Sequence, residues 1–156
     1  MGLLQHTLAQ SLPPKYSNNM AKIVAKALVR NSEGLYLVLY RSNTHPLFPG
    51  HIDFPGGEVE PEEIPEAAVA REIQEETGLS VNPNKLRKLF TKQYQQTTHM
   101  LFEAKLAEPD AKIALSWEHE DYRWITPEEL KSLPKFLGAD PYYMDVVGYA
   151  AGENWS

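Results

Sequence analysis

The sequence contains no cysteine among its 156 residues, and this absence excludes several kinds of chemistry. Disulfide bonds, thiolate metal sites and a cysteine nucleophile all require that residue. The sequence also lacks an apolar run near the ~20 residues that a membrane-spanning helix needs. The first 16 residues show no basic region followed by an apolar core, so they do not resemble a secretory signal. We therefore expect a cytoplasmic protein with no membrane partner.

Positive charge is in deficit. Lysine and arginine number 15 against 21 aspartates and glutamates, which gives a formal net charge of −6. Such a protein is not suited to non-specific binding of a phosphate backbone, so we expect no nucleic acid polymer as a partner. A small phosphorylated substrate would need a metal ion to bridge the two negatively charged partners.

The rest of the composition, with 42% hydrophobic and 23% charged residues, is that of an ordinary globular domain. The chain is long enough for one domain with one sizeable core. We expect residues 1–20 to form an N-terminal arm, in which Pro13-Pro14 stops a short amphipathic stretch. Residues 21–156 are expected to form the domain.

Hydrophobic periodicity predicts strands that alternate with helices. The predicted strands are Lys22–Val29, Leu35–Tyr40, Leu86–Tyr94, Thr98–Leu106 and Tyr122–Ile125. The predicted helices are Ile64–Thr77, a short one beginning at the capping box Thr126-Pro127-Glu128-Glu129, and a last one from about Pro141 to Ala151. Strands interleaved with helices on one core indicate a layered α/β domain with a mixed sheet.

A long irregular segment precedes the first helix. Residues 42–60 hold three prolines and three glycines, too many for a helix or a long strand. Long loops inside a compact domain usually carry function.

The first predicted helix is strongly acidic. Glu72, Glu75 and Glu76 stand at i, i+3 and i+4, which places the three carboxylates on one side of a helix. Like charges at that spacing destabilise a helix by a few tenths of a kcal/mol per pair, roughly. A hard divalent cation removes the repulsion and prefers oxygen ligands, so the cluster is a candidate site for one to three ions. A solvated acidic face is the alternative for the three glutamates taken alone.

The wider pattern is far more specific than these three glutamates. It reads Gly57, five residues, Glu63, seven residues, and then Arg71-Glu72-Ile73-Gln74-Glu75-Glu76-Thr77-Gly78-Leu79. This segment resembles the Nudix box, glycine-x5-Glu-x7-Arg-Glu-aliphatic-x-Glu-Glu-x-Gly-aliphatic, and every fixed position of that pattern is present. The neighbouring predicted strands also resemble the Nudix domain, so the resemblance extends over about residues 21–150.

The resemblance implies a Nudix fold, which is an α/β/α sandwich with a mixed sheet, and a role for each box residue. Glu72, Glu75 and Glu76 would bind Mg²⁺, with Mn²⁺ as the alternative cofactor. Arg71 would hold these carboxylates through ion pairs. Glu63 would stabilise the junction between loop and helix, and the backbone carbonyl of Gly56, just before the box, would be a further metal ligand.

The residue that takes the proton from the attacking water differs among Nudix enzymes. Some use a box glutamate, and others use a glutamate from a later loop, a few residues before a tryptophan. Glu118, six residues before Trp124, is the first candidate and a possible metal ligand. Glu120 and then His119 follow it, and an exposed loop position is the alternative role for each.

Five residues are candidate substrate contacts. Arg41 follows a strand and faces the long loop, where it could reach a phosphate, and an ordinary surface position is the alternative role for it. Phe54 and His51 belong to that loop and could line a base pocket, although packing beneath the glycine turn is the other role open to Phe54. Tyr94 lies near a polar hairpin tip and Tyr142 begins the last helix, where a ring could stack on a base. Core packing or a dimer contact is the alternative for these tyrosines.

The resemblance implies metal-dependent hydrolysis of a phosphoanhydride bond in a nucleoside diphosphate derivative. The leading hypothesis is a (d)NTP pyrophosphohydrolase whose partner is a small nucleotide, in a chain that is a possible homodimer. Hydrolysis of a nucleotide conjugate such as ADP-ribose, a dinucleotide or coenzyme A is the enzymatic alternative. A non-catalytic nucleotide-binding module is the alternative from another class. An isomerase of the same fold lacks support because there is no cysteine to act as its acid.

Overall fold

The sheet contains seven strands and is described here from a computed structural model covering residues 22–133 and 145–149. The strands are β1 Lys22–Arg30, β2 Tyr36–Arg41, β3 Ile52–Asp53, β4 Gly56–Glu58, β5 Arg87–Tyr94, β6 Thr97–Lys105 and β7 His119–Ile125. The helices are α1 Pro65–Thr77 and α2 Pro127–Ser132, and residues 145–149 are also helical. The predicted arm and both ends of the predicted last helix lie outside the described residues.

The sheet is mixed, as predicted. β1 runs parallel to β6 over its whole length, from Lys22 beside Thr97 to Arg30 beside Lys105. The other pairings are antiparallel, including the hairpin of β5 and β6 and the pairing of β2 with β7. The order along the sheet is β3-β2-β1-β6-β5, with β4 added to β1 and β7 added to β2.

The first two strands separate soon after the turn that joins them. β1 and β2 pair only where Arg30 faces Tyr36. Beyond that point the long loop enters between them, because β3 pairs with β2 and β4 pairs with β1. The amide of Ala27 donates to the carbonyl of Pro55 at 2.8 Å, which joins the loop to β1. The split in the sheet therefore holds the glycine turn against β1.

Helices cover both faces of the sheet, so the predicted α/β/α sandwich is confirmed. On one face α1 contributes Val69 and Ile73 to a core whose sheet members are Ala25, Ala27, Val29, Leu37, Leu39, Phe102 and Ala104. On the other face Leu130 of α2 and Val146 and Val147 pack on Leu28, Tyr36, Val38, Ile52, Phe54, Leu101 and Ile125. Burial of these two apolar layers is the main stabilising contribution.

Local signals predicted the helix ends well. Pro65 opens α1, and Gly78 ends it with φ of 75°, its amide donating to the carbonyl of Gln74 at 2.9 Å. Thr126 and Glu129 form the predicted capping box of α2. The prediction for β7 was wrong at its start, because the strand begins at His119, three residues before the predicted boundary. Within the described residues no helix is long and apolar enough to cross a membrane.

Candidate active site

Gly56, just before the box, and Gly57, its first residue, let the backbone come close to the carboxylates of α1. A Cβ at Gly57 would lie 2.9 Å from Glu72 Oε1, inside the distance that real side chains allow. A Cβ at Gly56 would lie 2.3 Å from the carbonyl oxygen of Ala25, and φ there is 140°. The amide of Gly56 donates to Glu76 Oε1 at 3.1 Å. The turn therefore contacts the helix directly through Glu72 and Glu76.

Arg71 makes the ion pairs that the box pattern predicts. Its guanidinium donates to both oxygens of Glu63, from Nε at 2.9 Å and from Nη2 at 3.0 Å. Nη1 donates to Glu72 at 2.9 Å and to Glu75 at 3.4 Å. Glu63 also accepts from the amide of Glu60 at 3.1 Å, which braces the loop before the helix. The single positive charge of Arg71 thus offsets the repulsion among the acidic side chains and fixes their directions.

The three glutamates expected to share one surface differ in burial. The side chain of Glu75 is 58% exposed, that of Glu72 is 17% exposed, and that of Glu76 is 3% exposed. Burial is the largest cause that raises the pKa of Glu76 to about 9, and the negative charges of Asp53 and Glu72 add to it. A carboxyl group with so little solvent ionises readily only when a cation approaches.

A buried charge network lies beneath Glu76, and it was missed from the sequence. Asp53 accepts from Lys26 Nζ at 2.8 Å, lies 3.3 Å from Arg41 Nε and contacts His119 Nε2 at 2.9 Å. Burial opposes its ionisation, yet Lys26, the His119 hydrogen bond and Arg41 hold the pKa of Asp53 well below its ordinary value. His119 Nδ1 lies 3.5 Å from Glu76 Oε2, so the network reaches the box.

A sequence signal for this network existed. Lys26 stands between alanines in a strand whose other central residues are apolar, and Asp53 stands between Ile52 and Phe54. A charged residue inside an otherwise buried strand is informative because such residues are rarely buried unless they are paired.

The candidate bases lie at the start of β7. Glu118 is partly exposed, and its Oε2 lies 3.6 Å from His45 Nε2. The amide of Ser42 donates to the carbonyl of Glu118 at 2.9 Å, so this residue sits against the loop before the box. Glu120 is exposed, and alternation along a strand directs it away from the side that His119 occupies. His119 is fully buried and contacts Asp53, so it is not placed as a base open to solvent.

The candidate substrate residues are mostly not placed where a substrate could contact them. Phe54 is fully buried in the core, so its predicted alternative role in packing is the observed one and its ring is not available to a base. Arg41 is buried as well, where it contacts Asp53 and donates to the carbonyl of Leu47 at 2.8 Å, a position that does not favour a phosphate contact. The Tyr94 hydroxyl donates to Asp145 Oδ2. Tyr142 lies outside the described residues.

Two cavities stand out among the described residues. One of about 820 Å³ is lined by residues 78–82, 85–87, 103–108 and 111, and no box glutamate borders it. Another of about 490 Å³ includes Tyr40, His51 and Arg123. Both sizes suit small molecules, but the smaller one contains His51 of the loop before the box and is the more relevant to a substrate.

The donor groups around the glycine turn fit a divalent cation. Glu72, Glu75, Glu76 and the carbonyl of Gly56 are oxygen donors, which Mg²⁺ and Mn²⁺ prefer. The buried Glu76, with its raised pKa and negative neighbours, is a carboxyl group that a cation would stabilise in its ionised form. Within the described part of the chain, Asp53, Glu76 and His119 also bring ligand atoms within 4.8 Å of one another.

Comparison with known proteins identifies the family to which this fold belongs. The sequence profile of the NUDIX domain matches residues 20–146. The nucleoside triphosphatase NudI of Salmonella paratyphi B is 34% identical over 116 residues, covering 66% of this chain and 80% of that protein. A MutT protein from Methanosarcina mazei Go1 has a crystal structure with a TM-score of 0.67 at 29% identity, covering 89% of this chain and 99% of that one. DR0079 from Deinococcus radiodurans gives a TM-score of 0.69 at 25% identity, covering 84% and 83%.

The α/β/α sandwich, the carboxylate-bearing helix and the glycine turn, taken with these matches, define a pyrophosphohydrolase, an enzyme that cuts phosphoanhydride bonds. The matched profile spans most of the sequence. The chain belongs to the Nudix family, whose hydrolases generally use divalent cations.

Proposed function

We propose that the protein hydrolyses nucleoside triphosphates, (d)NTP, to a nucleoside monophosphate and pyrophosphate with Mg²⁺ or Mn²⁺ as cofactor. The observation that carries this proposal is the intact acidic set, in which Glu72 and Glu76 both approach the glycine turn. The similarity to a protein named nucleoside triphosphatase supports the substrate class. The intact carboxylates also count against a non-catalytic nucleotide-binding module.

The roles proposed for the residues follow from their positions. Glu72, Glu75, Glu76 and the carbonyl of Gly56 would hold the cation. A cation held there would neutralise charge on the phosphates and make the attacking water more acidic. Arg71 keeps the carboxylates oriented through its ion pairs.

The chemical step needs a group that accepts a proton. Glu118, as a partly exposed carboxylate beside His45 of the loop before the box, would take the proton as the water oxygen attacks phosphorus. The new bond joins that oxygen to phosphorus, and the bond that breaks is the phosphoanhydride bond to the leaving group. Water is the co-substrate, and the leaving group departs as a phosphate ester or pyrophosphate.

The experiment that tests the substrate class is a panel of (d)NTPs, ADP-ribose, dinucleotides and coenzyme A, each with Mg²⁺ or Mn²⁺. Products are separated by ion exchange, and H₂¹⁸O identifies the phosphorus that water attacks. We expect a monophosphate and pyrophosphate from at least one (d)NTP with the highest kcat/KM. A higher kcat/KM for a conjugate would make nucleotide conjugates the substrate class in place of (d)NTPs. Binding without turnover of any compound would favour the non-catalytic module.

The metal role of the box glutamates makes a direct prediction. We expect Glu75→Gln and Glu76→Gln each to lower kcat by ~10²-fold or more, because charge stabilisation by a bound cation is worth several kcal/mol. The fold should persist, since both changes keep side-chain size. Glu66→Gln is the matched control, because this residue lies in the first turn of the same helix. Undiminished turnover in both test variants contradicts the metal assignment.

Two further expectations accompany this proposal. A cytoplasmic location and a homodimer that involves the N-terminal arm both stay predictions. Cell fractionation tests the first, and light scattering of the full chain against a variant without residues 1–20 tests the second.

A further inference from the structure

His119 is a buried histidine with one ring nitrogen engaged and the other directed at the box. Nε2 contacts Asp53 Oδ2 at 2.9 Å. Nδ1 has no hydrogen-bond partner among the described residues, although the side chain is fully buried. Glu76 Oε2, at 3.5 Å from Nδ1, is too distant for a good hydrogen bond. A buried polar atom left in this way is costly unless a ligand satisfies it.

Asp53 decides which nitrogen carries the proton. It is ionised, and Lys26 and Arg41 offset its charge, so it meets the imidazole as a hydrogen-bond acceptor. An ionised carboxylate accepts from Nε2–H, which leaves the lone pair of a neutral imidazole on Nδ1. This carboxylate–histidine arrangement is the one that orients and strengthens histidine ligands in metal sites.

We propose that His119 Nδ1 is a nitrogen ligand of the divalent cation that Glu76 binds, with Asp53 as the residue that positions the ring. The separation of Nδ1 and Glu76 Oε2 is 3.5 Å. Two donor atoms at bonds of ~2.1 Å on neighbouring coordination positions are separated by ~3.0–3.5 Å. The inference rests on the proposed metal-dependent function and assigns that site a mixed nitrogen and oxygen ligand set.

A nitrogen donor changes which cation the site prefers. Mg²⁺ is hard and selects oxygen ligands, whereas imidazole favours transition metals. Replacing the imidazole with an amide should therefore weaken Mn²⁺ and Co²⁺ more than Mg²⁺. For His119→Gln we expect the Kd for Mn²⁺ to rise by ~10-fold or more and the Kd for Mg²⁺ to change by less than ~3-fold.

Electron spin echo envelope modulation of Mn²⁺ bound to the full-length wild-type chain tests the proposal without relying on turnover. A directly bound imidazole gives a ¹⁴N coupling, and protein carrying ¹⁵N-labelled histidine shifts that coupling in a way that identifies it. We expect the coupling to be present in wild type and lost in His119→Gln. It should persist in the matched control His45→Gln, whose ring centre lies 6.1 Å from that of His119.

Each other outcome has a defined meaning. Bound Mn²⁺ with no nitrogen coupling overturns the proposal and leaves the hydrolase function standing; a charged ring that donates to both carboxylates would give this result. A coupling that survives His119→Gln also overturns it. Absence of any bound Mn²⁺ overturns the metal-dependent function together with this inference. If His119→Gln does not fold, removal of the other four histidines assigns the signal by elimination; these are His6, His45, His51 and His99.

Discussion

Gly57 has no side chain at the point where the Glu72 carboxylate meets the loop. Its φ is not in the left-handed region, so conformational freedom is not the reason for glycine at this position. The reason is space, because an added Cβ would lie 2.9 Å from Glu72 Oε1 and 3.0 Å from Glu72 Cδ. The first glycine of the box is therefore a steric requirement of the carboxylate behind it.

Gly57→Ala should displace Glu72, so that the activity falls while the free energy of unfolding changes little. We expect kcat to fall by ~10-fold or more, since small displacements of reacting groups have large effects on rate. Metal titration of activity and chemical denaturation provide the two readouts. Gly148→Ala is the matched control, because a Cβ there meets nothing within 4 Å and alanine favours a helix. Unchanged kcat in Gly57→Ala would mean that Glu72 is not needed where it lies.

Glu118 should behave as the proton acceptor. Glu118→Gln keeps the shape of the side chain but removes its basic oxygen, so we expect kcat to fall by ~10²-fold or more with little change in KM. Glu120→Gln is the comparison, because Glu120 lies two residues after Glu118 and its side chain is exposed. A large loss in Glu120→Gln with a normal rate in Glu118→Gln would move the role to Glu120.

At the scale of elements, α1 is a helix whose function conflicts with its own stability. Three glutamates on neighbouring turns repel one another, and the last turn carries no basic residue. Arg71 relieves this repulsion by joining the loop through Glu63 to the helix through Glu72 and Glu75. The geometry of the guanidinium matters here, because it contacts both oxygens of Glu63 at once.

Arg71→Lys should therefore impair the enzyme although the charge is kept. A lysine cannot reproduce the planar two-pronged contact, so the carboxylates should lose their fixed directions. We expect the Mg²⁺ concentration needed for half-maximal rate to rise by ~10-fold, comparable to the loss of a residue that orients metal ligands. Arg87→Lys, which alters the ion pair with Glu103 away from the box, is the control. Equal metal requirements in wild type and Arg71→Lys would count against this role.

At the scale of the whole molecule, metal binding and folding are linked through Glu76. In the folded protein burial raises the pKa of Glu76 to about 9, from an ordinary value of 4.5. The side chain is therefore protonated at neutral pH in the folded state and ionised in the unfolded state. The stability from this group is complete below pH ~4.5 and is lost as pH rises through about 9.

A divalent cation should reverse that loss. Binding displaces the proton of Glu76, so we expect proton release on adding Mn²⁺ near pH 7, measured by calorimetry in buffers of different ionisation enthalpy. We also expect the rise in Tm on adding Mn²⁺ to be larger near pH ~8 than near pH ~6, because more of the ligand is available. Glu76→Gln should show neither effect. The same rise in Tm at both pH values would contradict the linkage.

Features encoded within a few residues were predictable from the sequence. Pro65 and Gly78 mark the ends of α1, and Thr126 marks the start of α2. The start of α1 was predicted to within one residue, and its end and the start of α2 lie where expected, because caps depend on local backbone geometry. The box spacing likewise identified the helix that carries the carboxylates, since a helical repeat fixes which side chains share a side. The mixed sheet followed from the order of these elements, and the two helical layers followed from the resemblance to the Nudix domain.

Which side chains are buried, and which of them contact one another, became known only from the tertiary structure. His119 and Asp53 are 66 residues apart, and nothing in the local pattern of either predicts their contact. Phe54 was predicted as a candidate substrate contact, but its ring is buried in the core beside the point where β1 and β2 separate. The sequence by itself determined where the helices lie, which side of α1 carries the glutamates, and the family. The fold decided which charges are buried together, because that depends on distant strands meeting and excluding water.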